Sequence, residues 1–155
     1  MLTFLTSNPV LIGLHLGAAI LAIDAALWLL GEFLARAGSQ RRRTIAAALT
    51  VFGFIASWIV GGYYYVNTYG TLVKPGILMS SAPWAHAIAM EAKEHIFLFL
   101  VPMAIVVLVA TLLRPALVDR SRFRTPLLWL TGSIAGLGLY IGMLGFIISA
   151  AARWG

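Results

Sequence analysis

The chain contains no cysteine, and only 10% of its 155 residues are charged. The first absence excludes disulfides, thiolate metal sites, iron–sulfur clusters and haem attached through a Cys-x-x-Cys-His motif. The second excludes an ordinary soluble surface, because soluble domains are about a quarter charged. A cofactor would therefore have to be held by imidazole, carboxylate, phenol or thioether groups.

What the chain has in abundance is apolar sequence: 61% of its residues are hydrophobic, and the mean hydropathy is +0.96. Four apolar stretches each exceed the roughly 20 residues that a helix needs to cross a bilayer. They predict transmembrane helices at about residues 9–35, 44–66, 83–113 and 126–150. We therefore expect an all-α integral membrane protein, with residues 1–155 forming one four-helix bundle domain.

The basic residues are concentrated in two of the three predicted connections: Arg36, Arg41, Arg42 and Arg43, then Arg114, Arg120, Arg122 and Arg124. The positive-inside rule predicts that both connections are cytoplasmic, so that both termini and the middle loop, residues 67–82, face outward. No Lys or Arg precedes Asp24, so the first helix does not look like a cleaved signal peptide. We expect a multi-pass protein of the plasma (bacterial inner) membrane. Its net charge of +6 fits anionic headgroups, whereas no folded module presents these arginines to nucleic acid.

The two halves of the chain follow the same order: a helix with a histidine, an arginine-rich connection, and a return helix. His15 is followed nine residues later by Asp24, and His86 is followed nine residues later by His95. This order predicts a two-plus-two internal repeat.

The head of the third predicted helix carries several ionisable residues. At about 100° per residue, Glu91 and His95 share one face, and His86 and Lys93 share another. Counting from the arginines places His15 at the height of His95, whereas counting from the outer prolines pairs it with His86. We prefer His15 with His95, because arginines mark the membrane interface better than prolines do.

Three consecutive tyrosines, Tyr63, Tyr64 and Tyr65, close the second predicted helix. An aromatic belt at the headgroups is the ordinary interpretation. However, three consecutive residues cover about 200° of a helix, so at least one of these rings should face inward. An inward phenol such as Tyr64 could hydrogen-bond a haem propionate or a metal ligand.

Asp24 interrupts the first predicted helix near the middle of the membrane. An acid at that depth is costly and marks either a functional site or a structural contact. It predicts a proton-relay residue, or a contact with one of four neighbours: Ser57, Trp58, Tyr140 or Lys93.

A four-helix bundle that carries inward histidines resembles membrane b-type cytochromes, in architecture rather than by motif. The resemblance implies a bis-histidine haem b near the outer face, and electron transfer with a quinol or an outer-side redox partner. His15 would pair with His95 or His86, while Tyr64 and Lys93 would hold the propionates.

Two alternatives stay open. Imidazoles and carboxylates could bind a divalent metal such as iron, zinc or copper, with ligands drawn from His15, His86, Glu91, Glu94 and His95. The chain could instead be a non-catalytic accessory or proton-relay subunit. An electron-transfer or accessory subunit of a larger membrane complex is favoured over a self-sufficient enzyme. Glycines in the fourth helix predict contacts with other subunits or with further copies of the chain.

Overall fold

A computed structural model describes residues 7–35 and 39–155, and its regular elements in these ranges are all helical. Arg36 of the first basic connection lies outside the described residues. The long helices are α1 (Asn8–Ala35), α2 (Gln40–Met79), α3 (Ala85–Thr111) and α5 (Ser121–Trp154), and the short α4 (Pro115–Val118) lies in the last connection. All four long helices are apolar and long enough to cross a membrane. For the described residues, the prediction of an all-α chain with four helices that are long and apolar enough to span a membrane is confirmed.

The long helices form a closed square, in which α1 packs on α2 and α5, and α3 packs on the same two helices. Glycines allow the closest approaches. A Cβ added at Gly53 would lie 2.9 Å from the Cβ of Ala22, and one added at Gly138 would lie 2.9 Å from Cγ1 of Ile23. The middle of the bundle is an apolar layer that includes Ala22, Ile23, Phe54, Leu100 and Ile134.

The predicted middle loop at residues 67–82 is largely helical. α2 continues to Met79: Tyr65–Val73 is wound as a π-helix, and Lys74–Met79 returns to α-helix. Pro75 lies in the first turn of that last α-helical part, where a missing N–H is tolerated. The connection to α3 is therefore only residues 80–84. At 1.5 Å per residue the 40 residues of α2 measure roughly 60 Å, about twice the hydrocarbon thickness of a bilayer.

The bundle has two different ends. We call the end with the two basic connections the arginine end, and the opposite end, which holds the head of α3 and both described ends of the chain, the histidine end. At the histidine end a second apolar cluster joins the extension of α2 to α3 and α5, and Tyr69 and Ile77 are among its buried members. Which side of the membrane each end faces remains a prediction.

The arginine end is held together by its basic side chains. Arg43 is only 2% exposed, pairs with Asp119 at 2.8 Å, and lies over the ring of Phe33. Arg124 donates hydrogen bonds to the carbonyls of Phe33 and Leu34 at the end of α1. These contacts satisfy the last carbonyls of a helix, which have no partner within it.

A second set of contacts ties α2 to its neighbours at the same end. Buried Glu32 pairs with Arg42 at 2.5 Å and accepts a hydrogen bond from Trp28 Nε1 at 2.9 Å. Gln40 Nε2 lies 3.3 Å from each of three carbonyls at the end of α3, those of Thr111, Leu112 and Leu113. The basic connections thus cap helices as well as carrying charge.

Candidate functional site

His15 of α1 lies with its ring against α2. Its Nδ1 is 2.8 Å from the carbonyl oxygen of Ser57, and the Ser57 hydroxyl donates to the His15 carbonyl at 3.1 Å. A carbonyl oxygen only accepts, so this geometry assigns the ring proton to Nδ1 and leaves the lone pair on Nε2. Gly61 makes room for the ring, since a Cβ added there would lie 2.5 Å from Nδ1. α2 therefore fixes both the orientation and the tautomer of His15.

Lys93 enters the bundle from α3 at the height of His15. Its charge acts on His15, and its Nζ lies 3.7 Å from the position of a Cβ added at Gly145 of α5. Within residues 7–35 and 39–155 Lys93 has no hydrogen-bond or ion-pair partner, and the carboxylate that acts on it electrostatically is Glu94. The contact between Lys93 and Asp24, one of the predicted alternatives, is not formed. An imidazole and an ammonium group thus lie at one height in the interior.

A row of hydrogen-bonding side chains lies nearer the histidine end. The Tyr69 hydroxyl is 3.1 Å from Nδ1 of His86, and both residues are buried, at 3% and 5% exposure. The ring of Tyr65 stacks on Tyr69 with centroids 5.2 Å apart, and its hydroxyl lies within hydrogen-bonding reach of Glu94. Glu94 is exposed and His86 is buried, and the link between Tyr65 and Tyr69 is ring stacking rather than a hydrogen bond.

The outward face of α3 carries Glu91 and His95, both of which are exposed. Nδ1 of His95 lies 2.7 Å from the carbonyl of Glu91, one turn earlier. Because Lys93 and His86 point inward, the predicted division of these residues between two faces is confirmed. The preferred ligand pair, His15 with His95, is not brought together, because His95 lies at the height of His15 but points away from the interior.

The other histidine pairing is not assembled either. His86 points inward, but it precedes Lys93 by seven residues and so lies about 10 Å farther along α3. Two imidazoles on one metal need nitrogens about 4 Å apart, since each metal–nitrogen bond is about 2 Å. Among the described residues, no three His, Asp or Glu side chains lie close enough together to hold a metal ion.

Asp24 lies away from these groups. It is exposed, on the side of α1 opposite the buried residues, and in the described part of the chain it has no hydrogen-bond or ion-pair partner. Ser57, one of its predicted partners, is bonded to His15 instead. Asp24 therefore has no connection to the interior polar groups.

The tyrosines follow the prediction in part. Tyr63 is exposed, while Tyr64 and Tyr65 are half-buried against the apolar cluster of the histidine end, so the expected inward ring is confirmed. Tyr69 was missed, because residues 67–82 were assigned to a loop, where helical spacing is not applied. Its spacing of four residues from Tyr65 is the signal that could have found it.

Comparisons with protein-family models, with curated proteins and with solved structures find no match. The function has to be argued from the residues themselves.

Proposed function

We propose that the histidine end binds haem b through His15, and that the protein transfers electrons as a subunit of a larger membrane complex. The observation that carries the proposal is the setting of His15. Metal-ligating histidines almost always donate their other ring N–H to a carboxylate or a backbone carbonyl, which fixes the tautomer and the ring orientation. The carbonyl of Ser57, 2.8 Å from Nδ1, has this relation to His15.

The residues around His15 supply part of what a haem needs from the protein. Lys93 offers a cation for a propionate at the same height, and the half-buried Tyr64 offers a phenol nearby. Gly145 places a residue without a side chain on α5 at this height, whereas the space at Gly61 of α2 is filled by the His15 ring itself. A bound haem would supply one-electron chemistry, while these groups hold it, orient it and balance its charge.

A bis-histidine haem takes its second imidazole from α3, because the other histidines of the chain are His86 and His95. His86 already faces inward but would have to move about 10 Å along the bundle axis to reach the height of His15. His95 already has that height but has to turn in from the outer face of α3. Separate His86→Ala and His95→Ala variants identify which of the two acts as the ligand.

The test is an absorption spectrum of the purified protein, produced with haem available and recorded oxidised and then dithionite-reduced, with metal analysis of the same sample. We expect a sharp reduced α-band, stoichiometric iron, loss of both in His15→Ala, and retention in the control Glu91→Gln. A colourless wild-type protein would refute the haem. Loss of a non-haem metal in Glu91→Gln would favour the metal-site alternative.

Glu94, Tyr65, Tyr69 and His86 lie in succession, and the Tyr69 hydroxyl is hydrogen-bonded to His86. This arrangement favours a second role, the delivery of protons to the histidine end, in which water carries the proton between the stacked Tyr65 and Tyr69. It stops above the apolar layer of the bundle, so it serves a site at this end rather than a path across the membrane. Tyr69→Phe keeps the stacked ring and removes the hydroxyl. We expect slower proton uptake on reduction of the haem protein, followed with a pH indicator, and an unchanged rate in the control Tyr63→Phe. Equal rates in the wild type and Tyr69→Phe would contradict the relay.

A further inference from the structure

Asp24 is exposed on the outer surface of α1, 16 residues after Asn8 and 11 before Ala35, near the middle of a helix long enough to cross a membrane. Acidic side chains at this depth almost always face a bundle interior or pair with another polar group. Nothing in the described part of the same chain pairs with Asp24. A partner outside the chain has to supply hydrogen-bond donors at that depth.

The outer surface of α5 carries such donors. Tyr140 is 44% exposed and Ser133 is also exposed, and within the described ranges neither hydroxyl has a hydrogen-bond partner. Their depth follows from the packing of Gly138 on Ile23 of α1. At 1.5 Å per residue, Ser133 and Tyr140 lie on either side of Asp24, each within about 6 Å along the membrane normal.

The acceptor and the donors cannot meet within one chain. The contact of Ile23 with Gly138 turns one side of α1 and one side of α5 toward each other, while Asp24 and Tyr140 are exposed on the outer surface. Copies of a membrane protein insert in one orientation, so a given residue has the same depth in each copy. Asp24 of one copy therefore lies at about the same depth as Ser133 and Tyr140 of another copy.

We infer that the chain self-associates by docking the exposed face of α1 on the exposed face of α5 of a second copy. The Asp24 carboxyl accepts hydrogen bonds from the Tyr140 and Ser133 hydroxyls across this contact. Gly136 on α5 has open space around it and lies within about 2 Å of the depth of Asp24, so the two backbones can approach there. This inference does not depend on the proposed haem.

Cross-linking tests the geometry directly, since the natural chain has no cysteine. Ile20→Cys on α1 and Met143→Cys on α5 are exposed and at similar depth. When differently tagged copies with one variant each are reconstituted together, we expect disulfide-linked pairs of unlike copies. Phe52→Cys, exposed on α2, is the control partner for Ile20→Cys and should cross-link much less. Equal cross-linking to Phe52→Cys, or pairs formed mainly between two Ile20→Cys copies, would overturn the inference.

Affinity measurements test the hydrogen bonds. Tyr140→Phe removes one hydroxyl and should weaken self-association about threefold to tenfold, the range for interhelical hydrogen bonds in membranes. Tyr63→Phe alters an exposed tyrosine of α2 and should leave it unchanged. Energy transfer between labelled copies in liposomes, measured against lipid dilution, reports the dissociation constant. A purified wild-type chain that stays monomeric at every dilution would exclude a second copy, and equal dissociation constants for the wild type and Tyr140→Phe would exclude the assigned contact.

Discussion

The packing of His15 against Gly61 allows a sharp test of the site. In Gly61→Ala the new Cβ would lie 2.5 Å from Nδ1 and 2.8 Å from Cε1 of His15, closer than real side chains come. The ring cannot move freely, because Ser57 holds it through both its carbonyl and its hydroxyl. We expect the overpacking to cost about 1–3 kcal/mol. Gly62→Ala is the matched control, because a Cβ there meets nothing within 4 Å.

The control should be neutral or stabilising by up to about 1 kcal/mol, because alanine favours helix over glycine. The two neighbouring variants should therefore differ by about 1–4 kcal/mol in the free energy of unfolding. For a chain of this size that is a difference of roughly 2–16 °C in Tm. Thermal unfolding in detergent, followed by circular dichroism, measures it.

A double variant separates the steric cause from a general weakening of α2. If the clash with the imidazole is responsible, His15→Ala should remove most of the penalty of Gly61→Ala, since coupled residues are not additive. The reasoning is refuted if Gly61→Ala is as stable as Gly62→Ala, or if its penalty persists in full without the imidazole.

Two further stability predictions use the same unfolding assay. Gly138→Ala places a Cβ 2.9 Å from Ile23 and should lower the free energy of unfolding by about 1–3 kcal/mol. The control Gly142→Ala has open space around it and should cost nothing. Equal stabilities of the two variants would contradict the packing of α1 on α5. Asp119→Asn removes the carboxylate that pairs with the buried Arg43 and should cost about 1–3 kcal/mol, because Asp119 is itself 40% exposed and the pair is partly screened by solvent. Arg43→Met replaces the charge by an apolar side chain beside Phe33 and should cost less; the opposite order would show that the pair is not what stabilises the arginine end.

The sequence specified the four membrane helices because length and hydropathy alone decide whether a segment can span a bilayer. It did not specify the extension of α2. Lys74, Pro75 and Gly76 have the composition of a turn, and the helix continues because Tyr69 and Ile77 gain burial against α3 and α5. Such gains depend on the tertiary packing, which local composition does not describe.

For the candidate site, the sequence predicted the heights of the histidines in the bundle and the helix faces they occupy, but not the residues they contact. Counting from the arginines placed His15 and His95 correctly at one height, and helical spacing placed them on definite faces of α1 and α3. Which face turns inward depends on how the helices pack, and the structure turns Lys93 inward and His95 outward. Asp24 was expected to be a proton-relay residue or to contact a neighbouring helix; it lies exposed on the outer surface of α1 and makes no hydrogen bond or ion pair within the described residues. The internal repeat and the orientation in the membrane remain predictions.

The apolar layer through the middle of the bundle has an electrical consequence. A transmembrane potential of 100 mV is worth about 2.3 kcal/mol for one elementary charge carried across the whole membrane, and most of that voltage falls over a region of low polarity. His15, Lys93 and Glu94 lie on one side of this layer. Under the proposed function, an electron exchanged through a haem held by His15, or a proton taken up at Glu94, would cross little of this field on its way to a partner at the same end. Such exchange would generate little membrane potential and would be nearly insensitive to one already present.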